Sequence, residues 1–431
     1  MSNSPVKRNY LWMILGTGML LILGMLASRP QPALANGDVL PGHYIIVFKD
    51  GVDPSQASND IARAHGLGVR HVYSHALNGF AAAIPDARLN DVKNDARVLA
   101  IIPDRFVTID HCVPDHPRHC NEPTPTPPPG GGTQITPTGI LRINGDLSSA
   151  ASGNGSGAVD VDVAVIDTGI DLTHPDLNVV GGINCSTGRS YKDGHGHGSH
   201  VAGTIGAKDN DFGVVGVAPG ARLWAVRVLN NAGSGTWSDI ICGVDWVTAN
   251  ADVIEVANMS LGGTGSEVGC NDNGMQEAIC NAVNAGVTFV VAAGNESDNA
   301  ANHVPAAYDQ VITVSALADF NGEPGGGAPA TCRSDVDDTF ANFSNYGSDV
   351  DLIAPGVCIE STWKGGGYIT ISGTSMASPH VAGAAALYKA NNSIATPAQV
   401  KDALQNAGNL DWNNSDDPDG SKEKLLDVGG F

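Results

Sequence analysis

Apolar positions fall along this chain in three distinct patterns. The first is the predominantly apolar run Leu11 to Ala27, which follows Lys7 and Arg8 and precedes Ala33-Leu34-Ala35 and Asn36. A basic start, an apolar middle and small residues at the cut are what an export signal requires. The run falls short of the roughly 20 residues that span a bilayer. Residues 1–35 are therefore expected to be a cleaved signal peptide rather than an anchor.

The second pattern is short and mixed. His43 to Phe48 (HYIIVF) predicts a strand. Asp53, Pro54 and Gln56 then supply an N-cap, a proline at the first helical position and a capping-box glutamine, so a helix to about His65 follows. The stretches ALNGFAAAI and VLAIIPDRFVTI predict further strands around a helical segment, Asp86 to Asp95. Residues 43–110 thus read as a small α+β module. Residues 111–132 read as a linker, because Pro123 to Pro129 and Gly130 to Gly132 suit neither a helix nor a sheet interior.

The third pattern runs from Thr133 to Phe431. Continuous β-branched runs (VDVAVID, LWAVRVL, VIEVANMS, VTFVVAAG and VITVSAL) alternate with helical stretches. Such near-continuous apolar runs, separated by helices, belong in a parallel sheet covered on both faces, a three-layer α/β domain. Two helices are expected to start at His197 and Ser375. Both are rich in Ala and Gly, so they can pack close to the sheet.

Charge and cysteines narrow the setting. The net charge is -22, from 23 Lys+Arg against 45 Asp+Glu. That argues against nucleic acid and anionic membranes as partners. Eight cysteines in an exported chain predict disulfides. Proximity pairs Cys112 with Cys120 and Cys270 with Cys280. Cys332 with Cys358 and Cys185 with Cys242 complete the expected set. No CxxC pair is present, which argues against zinc.

The candidate chemistry lies in four segments. Asp167 ends a strand run and is followed by Thr-Gly, with Asp171 and Asp176 close behind. HGHGSHVAGT offers His195, His197 and His200. Asn295 follows the run VVAAG, and Ser375 lies in GTSMASPHVAG with Ser372 and Ser378 nearby. A serine hydroxyl becomes nucleophilic when an imidazole takes its proton, and the imidazole needs a carboxylate to fix its tautomer. A serine at a helix N-terminus also has backbone N–H groups that favour developing negative charge. The order Asp, His, Ser excludes an α/β-hydrolase elbow, which places its Ser first.

These segments, in this order, resemble the subtilisin-like serine peptidases. The resemblance covers residues 43–110 and 133–431. It selects Asp167 as the orienting carboxylate, His197 as the general base, Ser375 as the nucleophile and Asn295 as an oxyanion donor. It leaves His200 as a packed helical residue and His195 as a solvated one. Residues 43–110 resemble the family's ferredoxin-like pro-domain, a chaperone and transient inhibitor. Ser260-Leu261-Gly262 and Ala292-Ala293-Gly294 would pair with an extended peptide. Backbone pairing reads any peptide, so broad specificity is expected, and with no acidic group clearly placed at the pocket base a dibasic-processing role is not supported.

The resemblance also implies a structural calcium site and no organic cofactor. Gln134, Asp176 and Asn210 would give side-chain oxygens, and Lys208, Phe212 and Val214 carbonyls, a mixture that suits a hard cation. The expected whole is a secreted, monomeric, self-processing endopeptidase zymogen acting on proteins and peptides, with no stable membrane association. The insertion around Cys112 and Cys120 leaves its maturation site open between 110 and 133. Rival readings are an idle binding protein, which would show a damaged triad, an esterase with the same triad, and a metal module on the His cluster.

Overall fold

The computed structural model of the protein describes residues 36–109 and 133–431. The signal-peptide and linker expectations, and the Cys112–Cys120 pairing, lie outside the described residues. The small module comprises β1 (Val39–Phe48), α1 (Pro54–His65), β2 (Gly68–Tyr73), β3 (Gly79–Ala83), α2 (Asp86–Lys93) and β4 (Val98–Thr108). Asp53 caps α1 as expected, accepting from the Gln56 N–H at 2.8 Å. Strand β2 was not foreseen. It is an edge strand whose exposure alternates residue by residue, so its apolar signal is thin.

The strands lie in the order β2-β3-β1-β4, with antiparallel pairing throughout. Alternation then divides β1 between two cores. Ile46 and Phe48 pack with Ala57, Ile61, Phe80 and Val92 under the module's own helices. Ile45 and Val47 face the opposite way, into a core shared with the larger domain.

The larger domain opens with α3 (Thr138–Arg142), β5 (Asp162–Asp167), β6 (Val179–Asn184), α4 (His197–Gly206), β7 (Arg222–Arg227) and β8 (Ser234–Thr236). It continues through α5 (Trp237–Ala249), β9 (Val256–Met259), β10 (Gly263–Thr264), α6 (Met275–Asn284), β11 (Thr288–Ala292) and β12 (His303–Val304). β13 (Ile312–Ala318), β14 (Thr339–Phe340), β15 (Leu352–Pro355), β16 (Ile359–Trp363) and β17 (Gly367–Ile371) precede α7 (Thr374–Asn391) and α8 (Pro397–Ala407).

The central sheet has the order β14-β13-β11-β9-β5-β7-β6, and β15 also pairs with β13. Every pairing in it is parallel except β13 with β14. The continuous apolar runs are explained by its two covers. Val163, Val165, Val256 and Val290 pack with Val201 and Ile205 of α4 and Met376 and Val381 of α7. Ala164, Ile166, Met259 and Phe289 pack with Ile240 and Val244 of α5 and Ile279 of α6. The three-layer expectation holds. Disulfides join Cys185 to Cys242, Cys270 to Cys280 and Cys332 to Cys358, the pairings expected for those residues.

Strand β4 leaves the small module and pairs antiparallel with β8, Val107 opposite Gly235. Below it, the N-terminal turn of α5 meets carboxylate and backbone. Asp104 accepts from the Ser238 N–H (3.0 Å) and hydroxyl (2.6 Å), an anion at a positive helix end. Asp239 binds Arg70 bidentately at 2.9 and 2.7 Å. Asp245 accepts the N–H groups of Ser74, His75 and Ala76. No helix among the described residues is long and apolar enough to cross a membrane.

Candidate active site

Functional side chains in open parallel sheets gather at the carboxyl ends of strands. Asp167 is the last residue of β5, Ser260 follows β9 and Asn295 follows β11. Asp167 and His197 are both fully buried. His197 Nδ1 lies 2.8 and 2.9 Å from the two Asp167 oxygens. A carboxylate only accepts, so Nδ1 carries the proton and Nε2 is the basic nitrogen of the neutral ring. Thr168 N–H holds Asp167 Oδ1 from the other side at 2.6 Å.

The close approach of α4 to β5 depends on Gly198. A Cβ there would overlap the Gly169 carbonyl and lie 3.1 Å from Asp167 Oδ1. A buried carboxylate that the motifs did not single out, Asp193, anchors the same corner. It accepts from Thr168 Oγ1 (3.0 Å), from the N–H groups of His195 (2.8 Å) and Gly196 (2.7 Å), and from Ser199 Oγ (2.7 Å). Burial pushes its carboxyl above the ordinary value. Its only sequence signal is an Asp shortly before a helix, the signature of any N-cap.

His200 is packed as expected, fully buried, with Nε2 3.0 Å from the Ile359 carbonyl. Burial pushes it down to about 3, so it stays neutral. His195 is not the solvated residue that was expected. It is 8 % exposed, its ring 6.4 Å from that of Trp363, and burial lowers it to about 4. The partner that buries it lies 168 residues away in sequence (363−195), beyond any local pattern.

Ser375 occupies the first turn of α7. Pro379 sits within the same helix and has no N–H to give the Ser375 carbonyl. That carbonyl accepts instead from Ser260 Oγ at 2.9 Å, while Ser375 Oγ lies 3.2 Å from the Ser260 carbonyl. Ser378 Oγ donates to Asn258, whose amide donates to Ser260 Oγ. This network ties the helix start to the end of β9. Asn295 Oδ1 accepts from the N–H (2.9 Å) and hydroxyl (3.0 Å) of Thr374, so the Nδ2 side of the amide is turned away from Thr374. The Asn295 amide and the Ser375 N–H lie on one side of Gly373, each 3.7 Å from where its Cβ would stand.

One cleft gathers Ser260, Leu261, Gly262, Ala292, Ala293, Gly294, Asn295 and Ser375. The structure adds Glu296 and His303 to its lining. A carboxylate thus lines the cleft beside the residues expected to bind substrate. Glu296 Oε2 accepts from Asn345 at 2.8 Å, and His303 lies 3.2 Å from Asp298 and 3.6 Å from Glu296.

The residue set assigned to calcium also converges. Gln134 Nε2 donates to the carbonyls of Lys208 (2.6 Å) and Val214 (3.2 Å). Asn210 Nδ2 donates to Asp176 Oδ1 at 2.7 Å, and Val214 N–H and Tyr368 OH reach Oδ2. Phe212 joins through its N–H, bonded to Asn210 Oδ1 at 2.8 Å. Among the described residues no group of three or more His, Cys, Asp or Glu side chains forms a metal cluster. This set instead mixes one carboxylate with amides and carbonyls, donors that fit a hard cation once the Gln134 amide turns its oxygen inward. Burial raises Asp176, a cost that a bound cation would offset.

A family model described as the subtilase family matches residues 159–424, and one described as peptidase inhibitor I9 matches residues 43–110. The chain belongs to the subtilase family. Subtilisin NAT of Bacillus subtilis subsp. natto is 36 % identical to it, over 93 % of this chain and 94 % of that protein. The extracellular serine proteinase of Thermus sp. (strain Rt41A) gives the same three values. The crystal structure of a cold adapted subtilisin-like serine proteinase is 37 % identical, with a TM-score of 0.53. It covers 66 % of this chain and 97 % of its own. The subtilase is accordingly a serine endopeptidase with an I9-type pro-domain ahead of an α/β catalytic domain.

Proposed function

We propose that this subtilase is a secreted endopeptidase of broad specificity, made as a zymogen that cuts itself. Ser375 Oγ attacks the scissile carbonyl carbon while His197 Nε2 takes the hydroxyl proton. Asp167 holds the imidazole in the required tautomer and stabilises its cation. The Asn295 amide and the Ser375 N–H receive the oxyanion. Collapse breaks the C–N bond, His197 returns the proton to the leaving amine, and water repeats the sequence on the acyl ester. The observation that carries this reading is the buried His197–Asp167 pair, which leaves Nε2 as the base.

Backbone groups of Ser260 to Gly262 and Ala292 to Gly294 would pair with any extended peptide, which favours broad specificity. Residues 1–35 would be removed on export, 43–110 would act as inhibitor and chaperone, and 111–132 would carry the maturation cut. Residues 133–431 would be the enzyme. Calcium would be held by Gln134, Asp176, Asn210 and the carbonyls of Lys208, Phe212 and Val214. Bound there, it would supply positive charge that stabilises the fold.

Intact mass of the secreted protein, beside its Ser375→Ala variant, tests the reading. A shortened wild type and a full-length variant are expected. Identical trimming of both would refute self-processing, and two uncut chains would mean that the zymogen needs another protease or that the site is idle.

A further inference from the structure

Residues ahead of the I9 match make contacts of their own. The I9 match begins at residue 43, yet Asn36 already lines the cleft. Gly37 N–H donates to the Phe106 carbonyl and Phe106 N–H to the Asp38 carbonyl, both at 2.8 Å. Arg105 donates to the Gly37 carbonyl at 2.8 Å. The segment is thereby zipped onto β4. Gly37 has φ +84°, and a Cβ on it would stand 3.1 Å from that of Thr264 in β10, so only glycine passes here without strain.

This path delivers Asn36 to the space between the end of β4 and the substrate strand. Its Nδ2 donates to the Gly262 carbonyl at 2.9 Å, and its Oδ1 accepts from the Thr108 N–H at 3.3 Å. An extended substrate paired along Ser260 to Gly262 would offer a backbone N–H to that same carbonyl. A carboxamide presents a donor and an acceptor on one plane, as a peptide unit does. The Asn36 side chain therefore stands in for a peptide group between Thr108 and Gly262. It also lines the cleft that contains Ser375.

We propose that Asn36 is a second inhibitory contact of this subtilase, a side-chain amide that occupies the Gly262 carbonyl and prolongs latency. The inference rests on the zymogen reading and adds to it a device outside the family's inhibitor segment. Asn36 is also the residue that signal removal would make N-terminal. Correct signal cleavage and assembly of the inhibitory contact would then depend on one position.

The test uses the full chain, secreted, with the appearance of activity on a peptide substrate followed over time. Two bonds of ordinary strength are lost in Asn36→Ala, so its lag is expected to shorten about 10-fold. Asn36→Asp keeps the shape without the donor and is expected to shorten it too. The kcat/KM of fully matured enzyme should be unchanged in both, since residue 36 has then been shed. A lag as long as wild type in either variant would overturn the proposal.

A second comparison is independent of self-processing. In the Ser375→Ala precursor, adding Asn36→Ala should speed amide exchange at Thr108 about 10-fold while α1 keeps its protection. Unchanged exchange at Thr108 would overturn the contact. If wild type itself never matures, the zymogen reading fails, and the exchange result still decides whether Asn36 holds the cleft.

Discussion

His197 Nδ1 sits within 2.9 Å of both oxygens of Asp167, and neither side chain reaches solvent. A carboxylate in that place accepts the Nδ1 proton and pays for its burial through charge-assisted bonds. An amide could instead donate to Nδ1, moving the ring proton to Nε2 and removing the base. Asp167→Asn is expected to lower kcat about 10,000-fold while KM and the melting temperature stay close to wild type. A loss below about 10-fold would show that the pair does not set the tautomer used in catalysis.

Asn295 offers a separate test of the oxyanion assignment. Thr374 fixes its Oδ1 through two bonds, so the amide is oriented before any substrate arrives. Asn295→Ala should lower kcat about 100- to 1,000-fold with little change in KM, the behaviour of a donor engaged mainly in the transition state. A variant that raises KM and spares kcat would place Asn295 in ground-state binding instead.

For calcium the expected signature is thermal. A chelator should lower the melting temperature by several degrees and reduce turnover at moderate temperature much less. Saturation at 100 times Kd contributes about 2.7 kcal/mol. Asp176→Asn should abolish the response to chelator. An unchanged wild-type melting temperature in chelator would remove the assignment.

What could be read in the sequence follows from how local each signal is. The strand Asp162–Asp167 declares itself because all of its residues are buried, so its run is apolar up to the functional Asp. The helices at His197 and Ser375 are marked by small residues whose purpose is close packing. Strand β6 carries Gly181 and Gly182 against Trp224 and Ala225, and its half-buried pattern gives no comparable run. The burial of His195 by Trp363, the cluster around Asp193 and the placement of Glu296 and His303 in the cleft are tertiary facts. Each depends on segments brought together only by the sheet order. Asn36 was visible only as a residue beside a cleavage site, because its partners Thr108 and Gly262 lie far along the chain.

Near the C-terminus, a buried carboxyl contributes to the dependence of stability on pH. Burial, with Asp417 and Asp419 nearby, raises Glu423 from 4.5 to about 8, and burial raises Asp417 to about 6. A carboxyl whose folded value lies above its unfolded value favours the fold while protonated. Between 4.5 and about 8 the folded chain keeps a proton at Glu423 that the unfolded chain has released. The contribution of Glu423 to stability therefore falls as pH rises through that window. Glu423→Gln keeps the shape and removes the charge. Its melting temperature should exceed that of wild type by at least about 3 °C at pH 8, with a much smaller gap at pH 5. Chelator should be present in both samples, so that cation binding does not enter the comparison. A gap that is equal at the two pH values, or larger at pH 5, would mean that Glu423 ionises in the folded protein as it does in the unfolded chain.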